Sequence, residues 1–182
     1  IDMASEAGKE FAPKLVMNMY PTYGFFMPNG DILGTVSPFL LAKNPELFLE
    51  RGKKAWEQAE VKRNNKRSIV FEEIGLKEAL EKAKKENKLV FIDAYTAWCQ
   101  PCVMMGKNVF TLDKVADFYN RNFINLKIDF GKEKELAEKY AVRGYPAFLF
   151  LNGNGKLVYA AGGYTEADAF IGYGQEALKK AE

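Results

Sequence analysis

Histidine is absent from the 182 residues and cysteine occurs only twice. The first absence removes Ser-His and Cys-His nucleophile pairs, imidazole metal ligands and histidine pH switches in one step. The second excludes a disulfide scaffold and leaves Cys99 and Cys102 as inert thiols, half of a metal site or a redox pair. No apolar run reaches the roughly eighteen residues of a membrane-spanning helix, so membrane insertion is not expected. Charge of one sign is also missing: Lys+Arg 26 against Asp+Glu 24 leaves +2, which gives no argument for a nucleic acid or a membrane surface. The Lys-rich stretches read as solvated faces. What is present is 48% hydrophobic and 14% aromatic residues, enough for a real core. The length suits one domain and part of another.

The chain opens Ile1-Asp2-Met3 with no targeting segment, as if already inside a domain. Comparison of the chain with itself suggests why. Residues 20–33, YPTYGFFMPNGDIL, align without a gap on residues 145–158, YPAFLFLNGNGKLV, at an offset of 125. Both read aromatic, Pro, apolar strand, Asn-Gly turn, apolar strand. Glu10-Phe11-Ala12 keeps the offset from Glu135-Leu136-Ala137, and the helix-like residues 46–58 parallel 167–180. The expectation is a truncated half-domain without cysteines over 1–62, a linker over 63–68 and a complete unit over 69–182. The half-domain would comprise a helix, a β-hairpin and a helix.

Within the complete unit, Ser68 to Ile74 alternates apolar with polar and predicts a short strand. Leu76, Ala79, Leu80 and Ala83 fall at i, i+3, i+4 and i+7, an amphipathic helix that runs out near Glu86-Asn87. Residues 89–95, LVFIDAY, form a nearly unbroken apolar run suited to a buried central strand. A helix should begin about Cys99, break near Thr111 and resume through Val115, Phe118 and Tyr119. A strand over Phe123 to Asp129, a helix over Lys132 to Tyr140, a hairpin over 147–151 and 156–160, and a helix over 165–180 complete the pattern. The order βαβαβαββα predicts an α/β unit with a mostly parallel sheet, covered on both faces and ending in an antiparallel hairpin.

Cys99-Gln100-Pro101-Cys102 follows that central strand directly, with Trp98 before it. Three residues apart on one helical turn, the two sulfurs face the same way and can reach bonding distance. Cys99 falls at a helix N-terminus, where unpaired N–H groups and the helix dipole favour a thiolate. Lowering a thiol pKa from about 8.5 to about 7 takes roughly 2 kcal/mol. The dipole offers about 0.3 to 1, so direct N–H···S bonds must supply the rest. Cys99 is then the nucleophile and Cys102, one turn deeper, the resolving thiol. Zinc within one chain would need two more soft or nitrogen ligands, which a chain without a third Cys or any His does not offer, and this leaves only a site shared between two chains. Two inert thiols would leave Trp98 and Pro101 at the strand-to-helix junction unexplained. No metal and no cofactor is expected, and the dithiol should sit at a solvent-facing tip.

With WCQPC on the page, residues 69–182 resemble a thioredoxin-fold domain, a mixed central sheet flanked by helices. They are similar in particular to the small thioredoxin-like disulfide interchange proteins of bacterial cell envelopes. The resemblance implies a cis-Pro loop facing the dithiol, at Tyr145-Pro146, whose backbone pairs with an extended substrate. It implies that Asp93 is the buried carboxylate beneath the dithiol, its pKa raised so that it takes the proton of Cys102. It implies a glycine beside the substrate groove at Gly163. Catalysis would rest on Cys99, Cys102 and Asp93, and substrate binding on Trp98, Gln100, Pro101, Tyr145, Pro146 and Gly163.

The sequence departs from the family in places. Gln100 replaces the usual Gly, and Tyr145 stands where thioredoxins carry an aliphatic residue. The family's lysine partner of the carboxylate falls at Asn125, while Lys127 lies two residues on and on the same strand face. The resemblance implies a thiol-disulfide oxidoreductase, with protein disulfides or dithiols as substrates and a reductase or membrane electron donor as recycling partner. It places the protein in the periplasm or cell envelope of a bacterium, with the cytoplasm as alternative. A non-catalytic adaptor that holds peptides at Tyr145-Pro146 is the rival from another class. The first copy matches the Pro loop at Tyr20-Pro21 but has no cysteine, and its raw sheet edge would allow self-association. Trp56, Phe39 and Phe48 should cover what core it has.

Overall fold

The structure is a computed structural model that describes residues 23–27, 32–36, 44 and 46–181. The chain divides into two compact units, one ending at Asn64 and the other beginning at Asn65. Glu10-Phe11-Ala12, Tyr20-Pro21, the Asn29-Gly30 turn and Phe39 lie outside the described residues.

In the first unit, β1 (Tyr23–Phe26) pairs antiparallel with β2 (Ile32–Val36), and α1 (Glu46–Asn64) packs on β2. Phe48 meets the rings of Phe25 at 5.4 Å and Tyr23 at 5.9 Å between centroids. One turn on, Gly52 keeps the helix close: a Cβ there would stand 3.4 Å from the Phe25 ring. Ala55 and Val36 are buried. Trp56 is a correction to the expected core, since it is 62% exposed. One residue past Ala55 it is turned about 100° around the helix, away from the Phe48–Gly52–Ala55 stripe. Its ring instead carries the Arg63 guanidinium at 5.7 Å.

The second unit contains α2 (Leu76–Glu86), β3 (Leu89–Tyr95), α3 (Gln100–Asn108), α4 (Asp113–Asn122), β4 (Phe123–Asp129), α5 (Lys134–Lys139), β5 (Ala147–Leu151), β6 (Leu157–Gly162) and α6 (Ala167–Ala181). The sheet order is β4-β3-β5-β6; β3 runs parallel to β4 and antiparallel to β5, and β5 and β6 form the terminal hairpin. β3 is central because LVFIDAY offers apolar side chains to both faces. Val90, Ile92 and Ala94 join Ala79 and Ala83 of α2 in one core. Leu89 and Phe91 join Met105 of α3, Tyr119 of α4 and Phe170 of α6 in the other. Tyr119 stacks on Phe170 at 4.4 Å and donates its hydroxyl to the Phe170 carbonyl at 2.7 Å; burial holds its pKa well above the ordinary tyrosine range.

Residues 68–74 are not a strand, which corrects the expected order. Their backbone donors go elsewhere: Ile69 N–H to the Phe110 carbonyl, Val70 N–H to the Asn120 side chain, and Glu72 N–H to the Asn125 carbonyl. Only the last of these reaches a strand. The alternation is nonetheless physical, since Ile69 is buried, Val70 exposed and Phe71 packed on the core.

Residues 65–68, expected as linker, are fastened to α4. The Asp113 carboxylate accepts the N–H groups of Lys66 and Arg67 at 2.7 and 2.8 Å, which holds its carboxyl below the usual range. Arg67 binds Asp117 through two bonds of 2.7 and 2.8 Å. In return Asn65 Oδ1 accepts the N–H of Asp113. The capping position Leu112 has no side-chain acceptor, so Asn65 caps α4 from a distant point in the chain.

Candidate active site

The dithiol stands where β3 gives way to α3. Thr96 ends the apolar run and its carbonyl accepts the Cys99 N–H at 3.1 Å, turning the chain. Cys99 is the capping residue of α3, with extended backbone, and its Sγ accepts the N–H of Cys102 at 3.2 Å. That is the direct N–H···S contact which the thiolate at this position needs. Pro101 fits the first turn because no N–H is required there. The two sulfurs are bonded at 2.07 Å, with Cα atoms 5.3 Å apart. Neither cysteine is open to solvent as a tip would be: Cys99 is 3% and Cys102 4% exposed. It is Trp98, Gln100 and Pro101 around them that are exposed, because the helix cap folds the sulfurs inward.

The Tyr145–Pro146 peptide bond is cis. The ring of Tyr145 meets Trp98 edge-on at 6.1 Å, so the Pro loop and the dithiol loop lie side by side. The Pro146 carbonyl accepts the N–H of Gly163 at 2.8 Å, which ties in the end of β6. Gly163 has φ +82, a conformation that L side chains rarely adopt, and the space above its Cα is open. The sequence reading missed its neighbour Gly162, where a Cβ would stand 2.9 Å from the Pro146 carbonyl oxygen. The signal was the Gly162-Gly163 pair at the end of a strand. Exposed Val103, Met104 and Tyr164, adjoining Cys102 and Gly163, were also missed. No sequence period distinguishes an exposed Met104 from a buried Met105.

Asp93 shares its sheet face with Leu89 and Phe91, the face covered by Met105 of the helix that the dithiol starts. It is 1% exposed. In the β3–β4 register Asp93 stands opposite Lys127, whose Nζ lies 3.7 Å from Oδ2. The ammonium also sits 5.0 Å over the Tyr95 ring and 5.8 Å from that of Phe71. Burial pushes the Asp93 carboxyl up to about 6, against the pull of Lys127. Among the described residues neither carboxylate oxygen accepts a hydrogen bond, so nothing but that one cation offsets the loss of water. Asn125 is buried and donates to the Val70 carbonyl and to Asn120. The cation that faces Asp93 is Lys127, two residues on from Asn125 and on the same face of β4.

Among the described residues no group of three His, Cys, Asp or Glu side chains could hold a metal ion. The arrangement holds a sulfur–sulfur bond at a helix N-terminus, a buried carboxyl pushed up to about 6 on the core face that α3 covers, and an aromatic rim.

Residues 76–178 match the family described as a thioredoxin-like domain. The chain belongs to that family. Thioredoxin-1 of Drosophila melanogaster is 42% identical over 77 residues, 42% of this chain and 69% of the relative. The solution structure of a candidate disulphide-isomerase from Bacteroides thetaiotaomicron is 39% identical with a TM-score of 0.57, covering 63% of this chain and 97% of that one. DsbH oxidoreductase shares the fold, with a TM-score of 0.55 at 22% identity, over 63% of this chain and 88% of that one. The thioredoxin-like domain here thus has the mixed sheet and helical layers of its relatives, in a family of thiol-disulfide oxidoreductases.

Proposed function

We propose that this protein reduces or interchanges disulfides of protein substrates through Cys99 and Cys102. The observation that carries the reading is the 2.07 Å sulfur–sulfur bond at the N-terminus of α3, with the Cys102 N–H aimed at Cys99 Sγ. In the reduced protein the Cys99 thiolate attacks one sulfur of a substrate disulfide, and the other substrate sulfur leaves and takes a proton. Cys102 then gives its proton to Asp93, whose carboxyl titrates near 6, and attacks Cys99 Sγ. The second substrate thiolate departs, two electrons have passed to the substrate, and the pair is left oxidised. Trp98, Gln100, Pro101, Tyr145, Pro146 and Gly163 line the substrate path in this reading, and Lys127 holds the charge of Asp93.

Pro101 and the absence of histidine between the cysteines favour a reductase or interchange protein over a disulfide donor, recycled by a reductase or a membrane electron donor. The 39% identity with the Bacteroides protein supports a bacterial disulphide-isomerase kinship, and we place the protein in the cell envelope, where disulfides persist. Recovery with cytoplasmic markers on fractionation would overturn that placement. We also propose that residues 1–62 are a partial second copy. Its support is the hairpin register: Tyr23 faces Val36 as Phe148 faces Ala161, Phe25 faces Gly34 as Phe150 faces Tyr159, and both ladders shift at the next pair.

Insulin reduction by dithiothreitol, followed by turbidity, tests the reaction. Wild type should accelerate it, Cys99→Ser should fall to background, and Cys102→Ser should accumulate a mixed disulfide with the substrate. Equal turbidity in all three would leave only a peptide-holding adaptor.

A further inference from the structure

A wide groove of about 1270 Å³ lies away from the dithiol, at the other end of the second unit. It reaches Leu89, where β3 begins, whereas the dithiol follows Tyr95, where β3 ends. Six residues of strand separate the two, roughly 20 Å. Lys84, Lys88, Arg121, Lys156 and Lys180 line the groove, and among the described residues Glu86 is the single carboxylate there. Glu86 is already paired with Lys88 at 3.1 Å, and Lys180 sits over the Tyr159 ring. Among the described residues Lys84, Arg121 and Lys156 have no carboxylate within 4.0 Å.

We propose that this groove binds an acidic, Asp/Glu-rich segment of a partner protein. Part of the positive charge serves the fold, because α2, α4 and α6 all end here and each helix C-terminus carries about half a negative charge. Lys84, Arg121 and Lys180, near those ends, answer that need. The three termini and Glu86 together offset about half of the five cations, so the groove stays positive, and Lys156 lies on no helix at all. The same termini decide the ligand class. A compact phosphate is held by backbone N–H groups at helix N-termini. Here the helices end rather than begin, and a helix C-terminus repels an anion. Carboxylates spaced along a peptide can stay at the rim and meet the long Lys and Arg side chains one by one. A flat bilayer does not follow a concave wall. Occupation of this end leaves the Cys99–Cys102 rim open, so an acidic partner and a disulfide substrate bind together.

The test is fluorescence anisotropy of a labelled Asp/Glu-rich dodecapeptide with the full chain, at low and high salt. Wild type should bind, with an affinity that falls as salt rises. The Lys84→Glu/Arg121→Glu/Lys156→Glu variant should bind at least about 10-fold more weakly, and the Lys77→Glu/Lys134→Glu/Lys139→Glu variant, with the same net charge, within about 2-fold of wild type. Equal weakening in both variants, or none in the first, overturns the proposal. So does tighter binding of tripolyphosphate or of phosphatidylserine vesicles than of the peptide. Should the first variant fail to fold, amide shifts in the wild type decide: peptide must move residues 84, 121 and 156 and leave Cys99 and Cys102 in place.

Discussion

The hairpins β1–β2 and β5–β6 share a register and the place where it shifts, yet they live in different surroundings. β5 reads AFLFL and every residue is buried, because β3 and β6 flank it and helices cover both faces. β1 reads YGFF in a two-stranded sheet and only Phe25 is even half-buried. Pairing and register shift are therefore written in short-range sequence, the alternation and the turn, while burial is conferred by neighbours that the hairpin does not encode. A two-stranded ribbon is marginal without a further layer, and α1 supplies one through Phe48, Gly52 and Ala55.

Truncation of matched aromatics tests this contrast most severely. Phe150, fully buried, and Phe25 occupy equivalent positions in the two registers. Phe150→Ala should cost about 3–5 kcal/mol in urea unfolding, and Phe25→Ala about 1 or less. Equal costs would mean that the first hairpin is as enclosed as the second. Next in size is Asp93, buried in the second unit. Its folded pKa of about 6 stands above the ordinary 3.8, so the native state binds the proton more tightly than the unfolded chain. Stability from this group is greatest below about pH 4, declines as pH rises towards 6, and is flat beyond. Asp93→Asn should therefore stabilise the second unit by up to about 3 kcal/mol at pH 7 and by little at pH 4, read by hydrogen exchange unit by unit. Lys127→Gln should raise the Asp93 pKa further, moving the pH dependence upward. The smallest effect belongs to the borrowed cap: Asn65→Ala should cost about 1 kcal/mol and loosen the first turn of α4, seen as faster amide exchange at Asp113.

Much of the second unit was legible because its patterns are strong. The run LVFIDAY gave β3 its bounds, and Cys99 as a cap followed from its place four residues beyond the end of that strand. Segment 68–74 misled for a physical reason: one-sided burial of Ile69 and Phe71 produces alternation in any extended chain, and only the destination of the N–H groups separates a strap from a strand. Lys127 resolves by register alone, since it faces Asp93 across the ladder where Asn125 faces Phe91. The remaining misses, Gly162 against the Pro146 carbonyl and the exposed Met104, depend on contacts between distant parts of the chain. The same is true of Trp56, whose exposure follows from one residue of helical rotation.

The fastening of residues 65–70 to α4 decides where the second unit can be cut. The family likeness starts at residue 76, which invites a shortened protein beginning there. Such a fragment would strip Asp113 of its acceptor, Asp117 of its guanidinium and Asn120 of the Val70 amide, and would bare the side of the core that Ile69 closes. An excised domain that begins at Asn65 keeps all of these.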